Sequence, residues 1–127
     1  MKTTESEENY LEIILVLNMI KPHVRAIDVA ERLGYTKPSV SVALKRLRQK
    51  EHINVSEEGY ITLTESGNKI ANMIYDRHQL IYERFKELGV PEEIAFKDAC
   101  KIEHRISTES FEALKKHLAD RQLEKKM

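Results

Sequence analysis

The sequence has few of the residues that mark several classes of protein. Its 127 residues include one cysteine, which excludes an intramolecular disulfide framework and suits a reducing compartment. Four glycines and three prolines are too few for an all-β sandwich or barrel with many turns. No apolar run approaches the length that spans a bilayer, and the first residues contain no secretory apolar region. We therefore expect a helix-rich cytoplasmic protein with no membrane contact.

The chain also has no net charge, because 21 Lys and Arg offset 21 Asp and Glu. The balance differs between segments. Residues 21–50 contain eight bases and two acids, a net charge of +6, whereas residues 1–20 and residues 51–64 each have a net charge of −3. The neutrality is a cancellation around one basic segment, so it does not argue against a nucleic-acid partner.

Apolar periodicity, caps and helix breakers predict a mainly α chain with one β-hairpin. Ser6 and Thr64 are expected to cap the first and fourth helices. Gly34 is placed to end the second helix in a left-handed conformation, and Thr36 opens the third. The predicted helices are Ser6–Ile20, Ala26–Leu33, one opened by Thr36, one from Thr64 to Leu88, Glu92–Ile106 and Glu109–Leu118, with strands at 52–55 and 60–64.

The second and third helices form a helix-turn-helix, and the hairpin after them makes the pattern a winged helix. Val40, Leu44 and Leu47 recur at core spacing on the third helix, whose opposite side is polar and basic. A basic helix face alone is as often a solvated surface, but here it coincides with the glycine turn, the hairpin and the +6 segment. We therefore predict DNA binding through phosphate contacts and DNA shape, with weakly selective base contacts from Ser and Thr. The predicted DNA-binding residues are Thr36, Lys37, Pro38, Ser39, Ser41, Lys45, Arg46 and Arg48.

A second group of residues has the chemistry of a metal site. Cys100, Glu103 and His104 are spaced i, i+3 and i+4 on the fifth predicted helix, so their side chains share one face. A thiolate, a carboxylate and an imidazole are a partial ligand set for a first-row transition metal. Further candidates are Asn9 and Glu12 on the first helix and His78 on the fourth.

Each candidate ligand also has an ordinary structural interpretation. Cys100 alone is more often a small buried hydrophobic residue, and His78 beside an apolar stripe is more often a satisfied core histidine. Glu12 adjoins the most apolar stretch of the chain, where a carboxylate needs a partner, either Arg77, Arg105 or a metal. A metal-independent winged-helix regulator therefore stays open as the alternative. A metalloenzyme is disfavoured, because no nucleophile or acid–base set accompanies the candidate ligands.

The sequence resembles the metal-dependent repressors of the diphtheria toxin repressor type and, among them, the short manganese transport regulators. The likeness covers nearly the whole chain. It is based on the segments Asn9–Glu12, Val29–Leu33, Pro38–Ser41, Leu63–Gly67, Arg77–His78 and Asp98–His104. The last of these, which resembles the metal-binding helix of the family, is the most specific.

This resemblance implies a winged-helix DNA-binding domain at residues 1–64 and an all-helical metal-binding and dimerisation domain at residues 65–127. It implies a homodimer and not an enzyme. With metal bound as co-repressor, the dimer would bind a pseudo-palindromic operator in double-stranded DNA and repress genes of metal-ion homeostasis. The metal ligands that it implies are Asn9, Glu12, His78, Cys100, Glu103 and His104.

Some positions depart from the manganese-type pattern, which usually has carboxylates where this chain has Asn9 and Cys100. A cysteine there is similar to the iron-dependent branch. The ancillary site of that branch is expected to be absent, since Tyr82 and Phe96 stand where it has Glu and His. Thiolate shifts preference from Mn²⁺ toward Fe²⁺, Co²⁺, Ni²⁺ and Zn²⁺. We expect the physiological co-repressor to be Fe²⁺ or Mn²⁺, with a preference for Fe²⁺, and the other ions could bind in vitro. Whether one or two ions bind per subunit stays open.

Overall fold

The computed structural model describes the backbone of residues 3–126 and the side chains of residues 3–121. Within them the fold is mainly α, as predicted, with a two-stranded antiparallel sheet. None of the helices in this described part has both the length and the apolar character needed to cross a bilayer. The elements are α1 (Glu5–Ile20), α2 (Ala26–Leu33), α3 (Lys37–Gln49), β1 (Ile53–Val55), β2 (Ile61–Leu63), α4 (Glu65–Glu87), α5 (Glu92–Glu103) and α6 (Thr108–Lys126).

The chain divides into two compact units at a boundary inside α4, between Tyr75 and Asp76. The first unit contains the winged helix-turn-helix and the start of α4. The second contains the rest of α4 together with α5 and α6.

The helix-turn-helix forms with the predicted local signals. Gly34 ends α2 with a φ of 70°, a left-handed conformation that glycine adopts without the penalty of a Cβ. Thr36 is the N-cap of α3, since its hydroxyl oxygen accepts a hydrogen bond from the Ser39 N–H at 3.4 Å. Pro38 occupies the first turn of α3, where a missing N–H is harmless.

One apolar core holds the first unit together. Each fully buried Leu or Ile in it contributes about 1.5–3 kcal/mol of burial free energy. The core joins α1, α2, α3, both strands and the start of α4 through Leu11, Ile14, Leu17, Val29, Val40, Leu44, Leu47, Ile53, Ile61 and Ala71. The stripe predicted on α3 is therefore buried, and the opposite face of that helix is left at the surface.

The wing is the hairpin of β1 and β2, in which Asn54 pairs with Thr62. The connection between α1 and α2 is attached to it, because the Ile61 N–H donates a hydrogen bond to the Val24 carbonyl oxygen at 2.7 Å. After the wing, Thr64 caps α4 as predicted. Its hydroxyl oxygen accepts a hydrogen bond from the Gly67 N–H at 3.2 Å.

The predicted cap of α1 is wrong. The helix begins at Glu5, and its N-cap is Thr4, whose hydroxyl oxygen accepts from the Glu7 N–H at 3.1 Å. The Glu7 side chain also receives the Lys50 ammonium at 2.8 and 2.7 Å, one contact to each oxygen. This partly buried ion pair joins the start of α1 to the end of α3.

Two predicted helix ends are also wrong. α5 ends at Glu103 and not at Ile106, because a turn at residues 104–107 redirects the chain. α6 continues to Lys126 and not to Leu118, since its final residues are strong helix formers and include no glycine or proline.

Candidate metal centre and nucleic-acid interface

The second unit brings His78 of α4 together with Cys100 and Glu103 of α5. His78 Nδ1 lies 2.8 Å from Glu103 Oε2 and 3.7 Å from Cys100 Sγ. One potential ligand atom from each residue lies within 4.8 Å of the other two. Cys100 and Glu103 point the same way because residues three apart share a helix face. His78 comes from a different helix, so packing of α4 against α5 completes the cluster.

Glu103 is the central residue of this cluster. Its side chain is 1% exposed, and its second oxygen, Oε1, lies 3.2 Å from His104 Nε2. The carboxylate therefore contacts two imidazoles, one through each oxygen. A buried carboxylate costs several kcal/mol unless positive or hydrogen-bonding groups surround it. The site concentrates such groups around one anionic side chain.

His104 does not lie within α5, as the sequence suggested, but at its C-cap. Its backbone keeps a right-handed conformation, with φ −86° and ψ −17°. The side chain consequently stays beside the face that bears Glu103.

Arg77 holds the carboxyl end of α5, a role that the sequence did not reveal. It is buried, and its Nη1 donates to the carbonyl oxygens of Glu103 at 3.3 Å and Ile106 at 3.2 Å. Its Nη2 donates to Thr108 Oγ1 at 3.2 Å. These bonds satisfy carbonyls that a helix end leaves without partners. They also fix the backbone of Glu103 beside the cluster.

The other side of His78 is aromatic. The Phe96 ring lies edge-on to the imidazole with centroids 4.7 Å apart, and Tyr82 stacks near it at 5.9 Å. Tyr82 also donates a hydrogen bond to Glu92 Oε1 at 2.8 Å. These are the two residues that stand where the iron-dependent pattern has Glu and His. Aromatic rings supply poor ligands for a hard or borderline cation, and the absence of an ancillary site stays a prediction.

Asn9 and Glu12 lie on α1 in the first unit. They are three residues apart and so share a face of that helix. Glu12 is 7% exposed, and Asn9 is half-buried. Their membership of the ligand set stays a prediction.

The donor atoms of the cluster fit a divalent first-row transition ion. They include an imidazole nitrogen, a sulfur and carboxylate oxygens, the ligand types that such ions accept. A Cys100 thiolate and the Glu103 carboxylate would together offset two positive charges. The same set is too soft for Ca²⁺ or Mg²⁺, which select all-oxygen ligands.

The outer face of α3 is the candidate nucleic-acid interface. All eight residues predicted to bind DNA are exposed there or at the N-cap. The basic residues Arg46 and Arg48 lie in the last turn of this helix, and its first turn contains no acidic residue. The face therefore presents hydroxyl groups near the N-terminus and cations farther along, the order that suits base edges and phosphates respectively.

Two exposed apolar residues, one on this face and one in the turn before α3, were not among the predicted DNA-binding residues. Val42 is 55% exposed and Tyr35 is 48% exposed. Both line a groove of about 790 Å³ that also includes Pro38, Ser39 and Arg46. Exposed apolar groups among DNA-facing residues can contact the C5-methyl group of thymine. The available signal was the position of Val42, two residues beyond Val40 and therefore away from the core stripe.

Both halves of the chain match one family. Residues 2–61 match the iron dependent repressor N-terminal DNA binding domain. Residues 64–124 match the iron dependent repressor metal binding and dimerisation domain.

Similar proteins include two manganese-named regulators. The transcriptional regulator MntR of Salmonella typhimurium is 36% identical over 106 residues, which cover 84% of this chain and 68% of that protein. The HTH-type transcriptional regulator MntR of Bacillus subtilis is 32% identical over 112 residues, which cover 88% and 79% respectively.

The fold is similar to that of solved repressors. The structure of the manganese regulator SloR has a TM-score of 0.78 at 26% identity, covering 94% of this chain and 55% of that one. A manganese-dependent transcriptional repressor in complex with manganese has a TM-score of 0.80 at 24% identity, covering 89% and 52%. The chain thus spans about half the length of these solved relatives.

Proposed function

Because the chain belongs to the iron-dependent repressor family of metal-dependent, DNA-binding transcriptional regulators, we propose that it represses genes of metal-ion homeostasis when it is loaded with Fe²⁺ or Mn²⁺. It is a regulator and not an enzyme. It acts as a homodimer on double-stranded DNA, and we place this activity in the cytoplasm. The observation that supports the metal dependence best is the buried cluster of His78, Cys100 and Glu103, three donor types at one point.

The proposed ligand set extends this cluster. His104 contributes its imidazole beside Glu103, and Asn9 and Glu12 contribute oxygen ligands from α1. Glu12 is buried on α1, and its carboxylate oxygens are ligands that a divalent first-row ion accepts. When bound, the metal supplies the positive charge that these anionic side chains share.

The proposed regulation depends on the metal-ligand side chains of three helices. Ligands on α1, α4 and α5 become fixed together, which favours the arrangement of the dimer in which its two α3 helices match the half-sites of a pseudo-palindromic operator. The effect is a population shift toward the DNA-binding arrangement. The α3 face, with the eight exposed residues predicted from the sequence, then makes the DNA contacts.

Metal dependence is tested with protein purified anaerobically, whose bound metal is measured before and after chelation. A DNA duplex selected from a random library with the metal-loaded protein serves as the probe. We expect stoichiometric metal in the wild type, with strong losses of metal and of DNA affinity in His78→Ala and Glu103→Gln. His117→Ala, at an exposed histidine of α6, is the matched control and should behave as the wild type. DNA affinity that chelation leaves unchanged would instead establish the metal-independent regulator.

The preference between iron and manganese is tested at Cys100. Substitution by Ala removes the sulfur ligand, and substitution by Asp replaces it with an oxygen ligand. We expect both variants to lose the sulfur-to-metal absorption of the Co²⁺-loaded protein, and Cys100→Asp to shift selectivity toward Mn²⁺. An unchanged response to Fe²⁺ and Mn²⁺ in Cys100→Ala would remove the basis for preferring iron.

The DNA-binding face is tested by Lys45→Ala and Arg46→Ala. Each variant should weaken binding to the selected duplex, and each lost phosphate contact should reduce the salt slope by about 0.9. Lys116→Ala removes an exposed cation from α6 and should leave the slope unchanged. Slopes equal to that of the wild type in both α3 variants would refute this assignment.

A further inference from the structure

The wing contains no lysine or arginine. Residues 51–64 include three acids and no base other than His52. Glu57 and Glu58 lie in the exposed turn between β1 and β2. Such a tip by itself would be repelled by a DNA backbone, which carries one negative charge per about 1.7 Å of duplex. If the wing approaches DNA, cations from another segment must accompany it.

The structure places such a cation, Arg25, directly against the wing. The His23 ring stacks on the Tyr60 ring with centroids 4.2 Å apart and planes 10° apart. The Arg25 guanidinium carbon lies 4.9 Å from the centroid of the same ring, and its Nη2 donates to Tyr60 Oη at 3.4 Å. His23 and Arg25 are exposed, and Tyr60 is half-buried. We name His23, Arg25 and Tyr60 the wing platform.

Backbone hydrogen bonds hold the wing platform in place. The residue between His23 and Arg25 is Val24, whose carbonyl oxygen accepts the Ile61 N–H at 2.7 Å. The Arg25 N–H donates to Asp28 Oδ2 at 2.8 Å, and the Tyr60 N–H donates to Ser56 Oγ at 3.0 Å. An arginine pre-ordered in this way loses less side-chain entropy when it binds an anion, and a free one loses up to about 2 kcal/mol.

The wing platform adjoins the proposed DNA-binding face. A groove of about 420 Å³ is lined on one side by Ser41, Lys45 and Arg48 of α3 and on the other by Gly59 and Ile61 of the wing. Its wall also includes Ala26, which follows Arg25 directly. The same groove is thus bordered by cations that were predicted to contact phosphates and by the chain neighbours of the wing platform.

The pKa of the Glu58 carboxyl at the wing tip is affected by its surroundings, including the wing platform. Hydrogen bonds from its own backbone N–H and from Ser56 lower the pKa of the Glu58 carboxyl, and the charges of Arg25 and His23 lower it further. Glu58 is therefore ionised at neutral pH, and it opposes the approach of DNA. The guanidinium of Arg25 in the wing platform offsets this opposition.

We propose that the wing platform is a second DNA-binding surface, in which Arg25 contacts a backbone phosphate beside the wing. Tyr60 and His23 are positioning residues that hold the guanidinium in place. The inference rests on the proposed function, because it assumes that the α3 face binds DNA. It adds a cationic contact from the α1–α2 connection, a segment that the sequence prediction left out of the interface.

The test measures affinity for the selected duplex, with metal bound, over a range of salt concentrations. Arg25→Gln should weaken binding about fivefold and reduce the salt slope by about 0.9, as expected for one lost phosphate contact. The variant keeps the backbone N–H that binds Asp28, so the fold is retained. Arg121→Ala, at an exposed arginine of α6, is the control and should match the wild type.

Tyr60 variants separate positioning from simple charge. Tyr60→Phe keeps the ring under the guanidinium and should bind as the wild type, whereas Tyr60→Leu should reproduce part of the Arg25→Gln defect without a change in net charge. Glu58→Gln should strengthen binding about twofold, because it removes a repulsive charge at the wing tip.

The outcomes distinguish this inference from the function on which it rests. A salt slope unchanged in Arg25→Gln but reduced in Lys45→Ala would overturn the wing platform as a DNA contact and leave the α3 face intact. Slopes unchanged in both variants would overturn the proposed DNA-binding surface itself.

Discussion

Gly67, in the first turn of α4, gives the sharpest test of how the start of α4 packs against the segment that leads into the wing. Alanine normally strengthens a helix by about 1 kcal/mol relative to glycine. Here the opposite is expected. A Cβ at this position would lie 1.9 Å from the His52 carbonyl oxygen and 2.9 Å from its carbonyl carbon. Both atoms belong to the backbone, so no side-chain rotation relieves the contact.

The size of the destabilisation depends on which groups a methyl group at residue 67 would displace. The His52 carbonyl oxygen accepts the Thr64 N–H at 3.1 Å, and Thr64 is the residue that caps α4. Forcing an extra methyl group into a packed site costs about 1–3 kcal/mol, and disrupting this hydrogen bond adds about 1 kcal/mol. After the gain of about 1 kcal/mol in helix propensity, Gly67→Ala should destabilise the protein by about 2 kcal/mol.

Thermal unfolding followed by circular dichroism measures this change. A loss of about 2 kcal/mol corresponds to a fall in Tm of about 10 °C for a unit of this size. Lys69→Ala is the control, because it lies in the next turn, is exposed, and loses only a 3.8 Å ion pair with Glu65. Its effect should stay below about 0.5 kcal/mol. A Gly67→Ala variant as stable as the wild type, or more stable, would refute the predicted clash.

Three other substitutions have outcomes that local geometry determines. Lys50→Met leaves the buried Glu7 carboxylate without the ammonium that contacts both its oxygens. The free energy of unfolding in urea should therefore fall by about 1–3 kcal/mol. A loss below about 0.5 kcal/mol would contradict the stabilising role of this ion pair. Asp28→Asn removes a carboxyl whose pKa is lowered from 3.8, chiefly by the hydrogen bond from Lys21. A lowered pKa contributes stability that is fully present above pH 3.8 and is lost as the pH falls through the lower pKa of the folded state. The Tm curves of variant and wild type should therefore converge as the pH falls below 3.8, and parallel curves would refute this. Arg77→Met frees the end of α5, so Co²⁺ affinity and the Co²⁺ absorption spectrum should change, whereas an unchanged spectrum would show that the arginine serves only the fold.

The helix-turn-helix could be predicted closely because its signals are local. The left-handed glycine at residue 34 and the hydroxyl cap at Thr36 act within one turn of the residues that they affect. Helix ends were predicted less well where two local signals compete or where a distant residue holds the end. The cap of α1 competes with a neighbouring hydroxyl, and the end of α5 is held by an arginine on another helix.

The sequence by itself determined the fold class, the basic outer face of α3 and the list of potential ligands, since periodicity, capping and charge are properties of nearby residues. The tertiary structure alone decided which of these residues meet. His78 and Cys100 are 22 residues apart in sequence, and Arg25 and Tyr60 are 35 apart. No local pattern specifies either contact. Each arises because burying separate apolar stripes brings two distant helices, or a loop and a wing, to one place. That packing gathers scattered polar residues into a candidate ligand cluster and into the wing platform.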